Sequence, residues 1–294
     1  MTTSLDLEAT NGELTLAGTL HRPNGELRAT VLMVPGSGPS DRDNDGYFTA
    51  IRAGLLERGI AAASFDKRGV GDSAGDWRDT GPAEQAADVA AQLACLRQTA
   101  VVDPGRLGLF GHSQGGWVVL DVAAIDPSVA FVVTNSGPGV TMERQERYAT
   151  EAHMAAAGAP ADAIAAALAK QDALMALVRD GADFETVVAA AGGEGPPDLL
   201  ELELVRRWLE HDPRAALEQL ECPLLALFGD EDLHVPVEES IAVFRAARAD
   251  RPGSLDVETL PGADHRLQVG DPKALHPAYD AALCDWITRF AESD

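Results

Sequence analysis

The sequence predicts an α/β fold: a mostly parallel sheet of about eight strands, flanked by helices and interrupted once by a helical insertion. Three observations carry this. Apolar strand-like runs alternate with helical patterns from Ala29 to Thr134. The alternation stops between Gly137 and Gln219, where Ala-rich helical segments follow one another without a strand. It then resumes from Pro223 to Phe290. A chain that leaves one sheet and returns to it divides into a core, residues 1–136 and 220–294, and an inserted helical domain, residues 137–219. A length of 294 residues suits such a unit, with a core large enough to be stable without disulfides.

Taken in order, Ser4–Glu8 and Glu13–His21 read as short strands around the turn Asn11-Gly12. Ala29–Val34 is a continuous apolar run ending at Pro35-Gly36, as expected of a strand buried on both faces. A helical pattern covers Tyr47–Arg58 and a second buried strand Ile60–Phe65. Gly81-Pro82 opens a helix reaching Gln98, with proline in its first turn. Arg106–Phe110 is strand, Gln114–Ile125 helix and Ala130–Thr134 strand. The insertion holds helices over Met142–Ala157, Ala161–Val178, Phe184–Ala191 and Asp198–Glu210, punctuated by Gly181, Gly192-Gly193 and Gly195-Pro-Pro197. Strand Pro223–Phe228, helix Val237–Ala249, strand Ser254–Leu260 and a closing helix Pro277–Phe290 complete the chain.

Composition narrows the function classes. With 46% apolar and 24% charged residues the chain is an ordinary globular sequence, not a disordered one. Its formal charge of −24 repels phosphate backbones and anionic lipid, so neither a nucleic-acid nor a membrane partner is expected. Nearly all the positive charge is arginine; the lysines are Lys67, Lys170 and Lys273. Together with the abundant alanine this fits a GC-rich bacterial genome. Cys95, Cys222 and Cys284 are far apart and have no ligand-type spacing, so neither a disulfide framework nor a metal site is expected. The N-terminus lacks the basic and apolar regions of a signal peptide, and the expected location is the cytoplasm.

G-x-S-x-G occurs twice, as Gly71-Asp-Ser73-Ala-Gly75 and Gly111-His-Ser113-Gln-Gly115. Context separates them. Ser113 directly follows an apolar strand and precedes a helix, the elbow that lifts a strained serine above a sheet and points free N–H groups at a forming anion. Ser73 stands among charged residues with no helix behind it. The string Gly69-Val-Gly71-Asp-Ser-Ala74 also lacks the helix that a dinucleotide site needs, and reads as a sharp loop. Asp41-Arg-Asp-Asn-Asp45-Gly46 copies half of a calcium loop, but the twelfth position is Arg52 instead of a bidentate glutamate.

A seryl nucleophile needs a base and a group that orients the base. Of seven histidines, His265 sits in a short loop just past the last long strand, on the edge where all parallel strands end. His112 flanks Ser113 and is expected to point away from it. The acid should follow strand Pro223–Phe228, where Asp230 and Asp232 both qualify by strand-end placement. The chain order Ser…Asp…His is that of a hydrolase.

With these motifs in place, the chain resembles the α/β-hydrolase superfamily over most of its length. It looks most like bacterial carboxylesterases carrying the loop found here as Gly36-Ser37-Gly38-Pro-Ser-Asp41-Arg42-Asp43. Phe65-Asp-Lys-Arg-Gly-Val-Gly71-Asp-Ser73 resembles that family's fourth-strand segment. The resemblance implies Asp232, from Gly229-x-x-Asp232-x-x-Val-Pro236, as the acid. It also implies an oxyanion hole from the backbone N–H groups of Ser37 and Gln114, and a cap formed by residues 137–219. One departure is Pro35-Gly36 where the family commonly has His-Gly. The expected activity is hydrolysis of small to medium esters by Ser113, Asp232 and His265 without cofactor or metal. Peptidase or thioesterase chemistry on the same triad is the alternative, and a non-catalytic binding scaffold lies further off. Met142, Met154, Met175, Leu204 and Trp208 are candidate acyl-pocket residues that could equally be core. Beyond a small-molecule ester, the partner considered is a second copy of the chain in a homodimer.

Overall fold

The computed structural model describes residues 3–192, 196 and 198–291. At the N-terminus β1 (Thr3–Asn11) and β2 (Leu14–Arg22) form an antiparallel hairpin. Asn11 still pairs with Leu14, so the turn residues are Gly12 and Glu13, one position later than Asn11-Gly12. Gly12 takes the positive φ of 60° that the reversal needs and that glycine adopts without a Cβ penalty.

The sheet continues with β3 (Ala29–Val34), β4 (Ile60–Phe65), β5 (Leu107–His112), β6 (Val132–Asn135), β7 (Leu224–Gly229) and β8 (Leu255–Leu260). Their spatial order is β1-β2-β4-β3-β5-β6-β7-β8, and every pair from β4 to β8 is parallel. The continuous apolar runs follow from burial on both faces. In β3, Ala29, Val31 and Met33 join one core cluster while Leu32 and Val34 join the other. In β7, Leu225 and Leu227 face the first cluster, and Leu224, Ala226 and Phe228 the second. Helix α1 (Tyr47–Glu57) covers one face with Phe48, Ile51 and Leu55. The opposite face is covered by α2 (Pro82–Gln98) and α3 (Gln114–Ile125) through Val89, Leu93, Trp117 and Leu120. The start of α2 is sealed by the Glu84 carboxylate, which accepts from Gly81 N at 2.8 Å.

After β6 come α4 (Met142–Ala156), α5 (Ala161–Arg179), α6 (Phe184–Ala191), α7 (Leu199–Trp208) and α8 (Arg214–Gln219). No described residue between β6 and β7 is in a strand. Helices α5 to α7 share a small core of their own, Val178, Val187, Leu202 and Leu209. Of the breaks expected there, Gly193, Gly195 and Pro197 lie outside the described residues. Helix α9 (Val237–Arg248) follows β7 and seats Phe244 against Phe228.

The closing helix differs from the uniform Pro277–Phe290 expected. A π-helical turn, Ala281–Asp285, precedes α10 (Trp286–Ala291). Leu283, Cys284, Trp286 and Ile287 lie buried against the sheet on one face of this segment. A short hairpin of β9 (Gln268–Val269) and β10 (Ala274–Leu275) separates β8 from this helix. Two-residue strands leave no periodicity to read. All three cysteines are free thiols. No described helix is long and apolar enough to cross a membrane.

Strand register decides where the loops emerge. Val34 lies opposite Gly111, His112 opposite Asn135, and Gly229 opposite Leu260. The segments after β3, β5, β7 and β8 therefore leave the sheet at one carboxyl edge, where open parallel sheets bind their ligands.

Candidate active site

Strand β5 runs two residues further than Phe110 and ends at His112, so Ser113 stands directly between strand and helix. Its φ of 53° and ψ of −122° fall outside both helix and strand regions, the strained conformation of a nucleophile elbow. The surroundings impose it. Ser113 N donates to Asn135 O at 3.0 Å, and Gly116 N donates to Ser113 O at 2.8 Å. A Cβ on Gly111 would run into the Gly115 carbonyl, and one on Gly115 would sit 2.6 Å from Pro35 O. Both glycines of the motif are thus required by the close approach of β5, α3 and the loop after β3. The proline that departs from His-Gly lends its carbonyl to that packing.

The loops after β7 and β8 bring the other two groups together. His265 Nδ1 lies 2.8 Å from Asp232 Oδ2, while Asp232 Oδ1 accepts from His234 N at 2.7 Å and Val235 N at 3.0 Å. A carboxylate so held favours the imidazole proton on Nδ1, which leaves the lone pair on Nε2. Asp230 is occupied elsewhere: its Oδ1 accepts from Gly262 N at 2.5 Å. Of the two carboxylates left open by strand-end placement, Asp232 is the one paired with His265. The loop carrying His265 is braced by Asp264, whose Oδ1 accepts from the backbone N–H of Arg266 and Gln268, each at 3.0 Å. Tyr47 donates to Arg266 O at 2.6 Å and accepts from Asn135 Nδ2 at 3.1 Å, and Tyr279 donates to Asn135 Oδ1 at 2.6 Å. A Cβ on Gly229 would lie 2.6 Å from Asp264 O, so that glycine lets the two loops meet.

His112 packs between the Tyr47 and His265 rings, with centroids 4.8 and 5.2 Å away, and pairs through Nδ1 with Asn44 Nδ2 at 3.3 Å. Burial pushes its pKa well below the ordinary histidine value, so it is a neutral wall of the site. His265 also faces His234 at 4.9 Å, and His234 faces His153 of α4 at 4.6 Å. Tyr148, also on α4, donates to Asp232 O at 2.9 Å. The inserted helices therefore touch the acid loop directly.

The loop after β3 lies against the elbow, with Ser113 Cβ 3.3 Å from the place a Cβ on Gly36 would take. Ser37, Gly38 and Gln114 form one side of a cavity of about 180 Å³, and Trp77, Gln85, Met142, Leu204, Val205 and Trp208 close it with mostly apolar surface. Of the apolar candidates, Met142, Leu204 and Trp208 reach this cavity, while Met175 packs on the core of the inserted helices. A larger groove of about 910 Å³, lined by His21, Arg28, Arg52 and Arg58, contains none of Ser113, Asp232 or His265.

The second G-x-S-x-G is structural. Ser73 Oγ donates to Asp66 O at 2.8 Å and accepts from Ala17 N at 2.9 Å, tying the loop after β4 to β2. Asp41 Oδ1 accepts from the N–H of Asp43 and Asp45, and Asp43 pairs with Arg52 at 2.8 Å. Among the described residues no group of three or more His, Cys, Asp or Glu is placed to hold a metal ion. Sequence reasoning missed Asn44, Tyr47, Tyr148, His234 and Lys67. Each acts through a contact distant in sequence; Asn44, Lys67 and His234 fall inside quoted motifs, which assign them no role.

A strained serine, a carboxylate-paired imidazole and a neighbouring apolar cavity at one sheet edge define the chemistry of a hydrolase fold. The chain belongs to the alpha/beta hydrolase family, whose model matches residues 31–278. A thiohydrolase of Arthrinium phaeospermum is 38% identical over 84 residues, which is 28% of this chain and 27% of that one. The match thus spans little more than a quarter of that relative. An esterase of Pyrococcus furiosus superposes with a TM-score of 0.68 at 19% identity, covering 98% of this chain and 91% of that one. Est1E of Butyrivibrio proteoclasticus, with ferulic acid bound, gives a TM-score of 0.63 at 19% identity over 97% of each chain.

Proposed function

We propose that the protein is a serine hydrolase that cleaves small to medium uncharged carboxylic esters through an acyl-enzyme. Ser113 Oγ attacks the acyl carbon as His265 Nε2 takes its proton, and Asp232 stabilises the imidazolium. The N–H groups of Ser37 and Gln114 bind the tetrahedral oxyanion. Its collapse expels the alcohol with the proton from His265, and water activated by His265 then releases the acid. Residues 137–219 act as the cap, with Met142, Leu204 and Trp208 receiving the acyl chain.

The observation that carries this reading is the Asp232–His265 pair at 2.8 Å on the same sheet edge as the strained Ser113. The similarity to a thiohydrolase favours thioesters as the second substrate class. The discriminating experiment is an acyl-chain-length series of p-nitrophenyl esters beside matched thioesters and an aminoacyl-p-nitroanilide panel. Ester turnover highest for short and medium chains is the expected result. Turnover of the anilides or thioesters alone replaces the ester reading with peptidase or thioesterase.

A further inference from the structure

We propose that Lys67 is a positioning residue for the oxyanion hole: it holds the Gly36 carbonyl and so aims the N–H at the other end of that peptide, the Ser37 amide. The inference rests on the serine-hydrolase reading and extends it to a side chain that touches no substrate.

Lys67 Nζ donates to Gly36 O. The Gly36–Ser37 peptide has its carbonyl and its N–H on opposite sides, as any trans peptide does, so pinning one end sets the direction of the other. Two further bonds fasten the same loop to the same segment. Lys67 N donates to Ser40 O at 3.2 Å, and Arg42 N donates to Asp66 Oδ1 at 2.8 Å.

The placement of this lysine has no other electrostatic explanation. In a chain of net charge −24, an ammonium has carboxylates to choose from. Yet among the described residues none lies within ion-pair distance of Lys67. The adjacent Asp66 is spent on Arg42, at 2.5 Å, and Asp88 on Arg68, at 2.6 Å. Burial lowers the Lys67 amine to about 7, and both its charged and its neutral form can donate to a carbonyl. A donor on the carbonyl also polarises the peptide and strengthens its N–H as a donor. That effect grows with the negative charge of the acceptor, so it acts on the tetrahedral intermediate more than on the bound ester.

The test is Lys67→Met, which keeps the volume and removes the donor. With p-nitrophenyl acetate, kcat should fall on the order of 10- to 100-fold with KM nearly unchanged, less than or equal to the loss of a whole oxyanion donor. Affinity for an alkylboronic acid, whose tetrahedral adduct places an oxygen in the same hole, should fall in parallel. Lys67→Arg, which keeps a cationic donor, should recover part of both. A lysine serving packing alone would lower the melting temperature without that parallel loss. Wild-type kcat and boronate affinity in Lys67→Met overturn the inference and leave the serine-hydrolase reading standing. A wild-type protein whose Ser113 takes no fluorophosphonate overturns that reading and the inference with it. Should Lys67→Met not fold, Lys67→Gln, whose donor stands one bond nearer the main chain and falls short of Gly36 O, takes its place: kcat and boronate affinity should again fall together, and wild-type values of both overturn the inference.

Discussion

Replacing Asp232 with asparagine separates the orienting role of this carboxylate from its structural one. Oδ1 accepts two backbone N–H groups, from His234 at 2.7 Å and Val235 at 3.0 Å, and an asparagine oxygen can keep both. Oδ2 lies 2.8 Å from His265 Nδ1, and there the substitution places an NH₂ group that can only donate. The imidazole must then turn its lone pair to Nδ1 and carry its proton on Nε2, where it cannot accept the proton of Ser113. A wrong-tautomer base of this kind costs about 10⁴-fold in kcat, roughly 5.5 kcal/mol of barrier. Stability should change by no more than ~1 kcal/mol, because the two backbone bonds survive. Asp232→Ala removes those acceptors as well and should cost about 2–4 kcal/mol, since a buried N–H is left unpaired. The assay is p-nitrophenyl acetate turnover alongside urea denaturation. Asp230→Asn serves as the control and should stay near wild-type turnover. Wild-type turnover in Asp232→Asn, or its collapse in Asp230→Asn, refutes the assignment.

Other perturbations probe the scaffold around the site. Gly115→Ala forces a Cβ to 2.6 Å from Pro35 O and should destabilise by at least ~3 kcal/mol by urea denaturation, as neither neighbour is a flexible side chain. Ser73→Ala should lose about 1–3 kcal/mol from two hydrogen bonds while fluorophosphonate labelling persists. Leu204→Trp fills the cavity beside Ser37 and Gln114 and should shift ester preference towards acetate, read from the chain-length series. The half-buried pair Asp121 and His211, 3.4 Å apart, links α3 to the segment after α7 and sets a pH dependence. Burial raises Asp121 to about 7 and lowers His211 to about 4. Asp121 then binds more protons folded than unfolded between about 4 and 7, so its contribution falls as pH rises through that window. His211 binds fewer protons folded between about 4 and 6.5, so its contribution rises with pH there. In the wild type these trends oppose each other; Asp121→Asn should leave a stability that climbs from pH 4 to 6.5 in urea titrations. A flat profile in the variant contradicts this.

Most of the sheet was legible because its strands are buried on both faces. Leu224–Phe228 is apolar at every position and Ala29–Val34 at every position but Thr30, a run that few other structures require. Helix ends were legible where a cap marked them, as at Gly81-Pro82 and at Asp198, which accepts from Glu201 N at 3.0 Å. The π-turn at Ala281–Asp285 was not, because one added residue in a turn leaves composition and periodicity almost intact. Within the site, Ser113 was marked by strand–turn–helix context and His265 by its place past a strand end. The choice between Asp230 and Asp232 depends on which of two neighbouring side chains meets an imidazole over thirty residues away, and local pattern does not encode that. Lys67 was invisible for a similar reason: it stands in a charged string, Asp66-Lys-Arg68, where only the fold distinguishes a solvated cation from one turned onto a loop carbonyl.

The central claim, that Ser113 is an activated nucleophile, is tested most directly by exposing the native protein to a fluorophosphonate and mapping the adduct by mass spectrometry. One adduct on the peptide containing Ser113, lost in Ser113→Ala and retained in Ser73→Ala, is the expected result. An adduct that survives Ser113→Ala and disappears in Ser73→Ala contradicts the account.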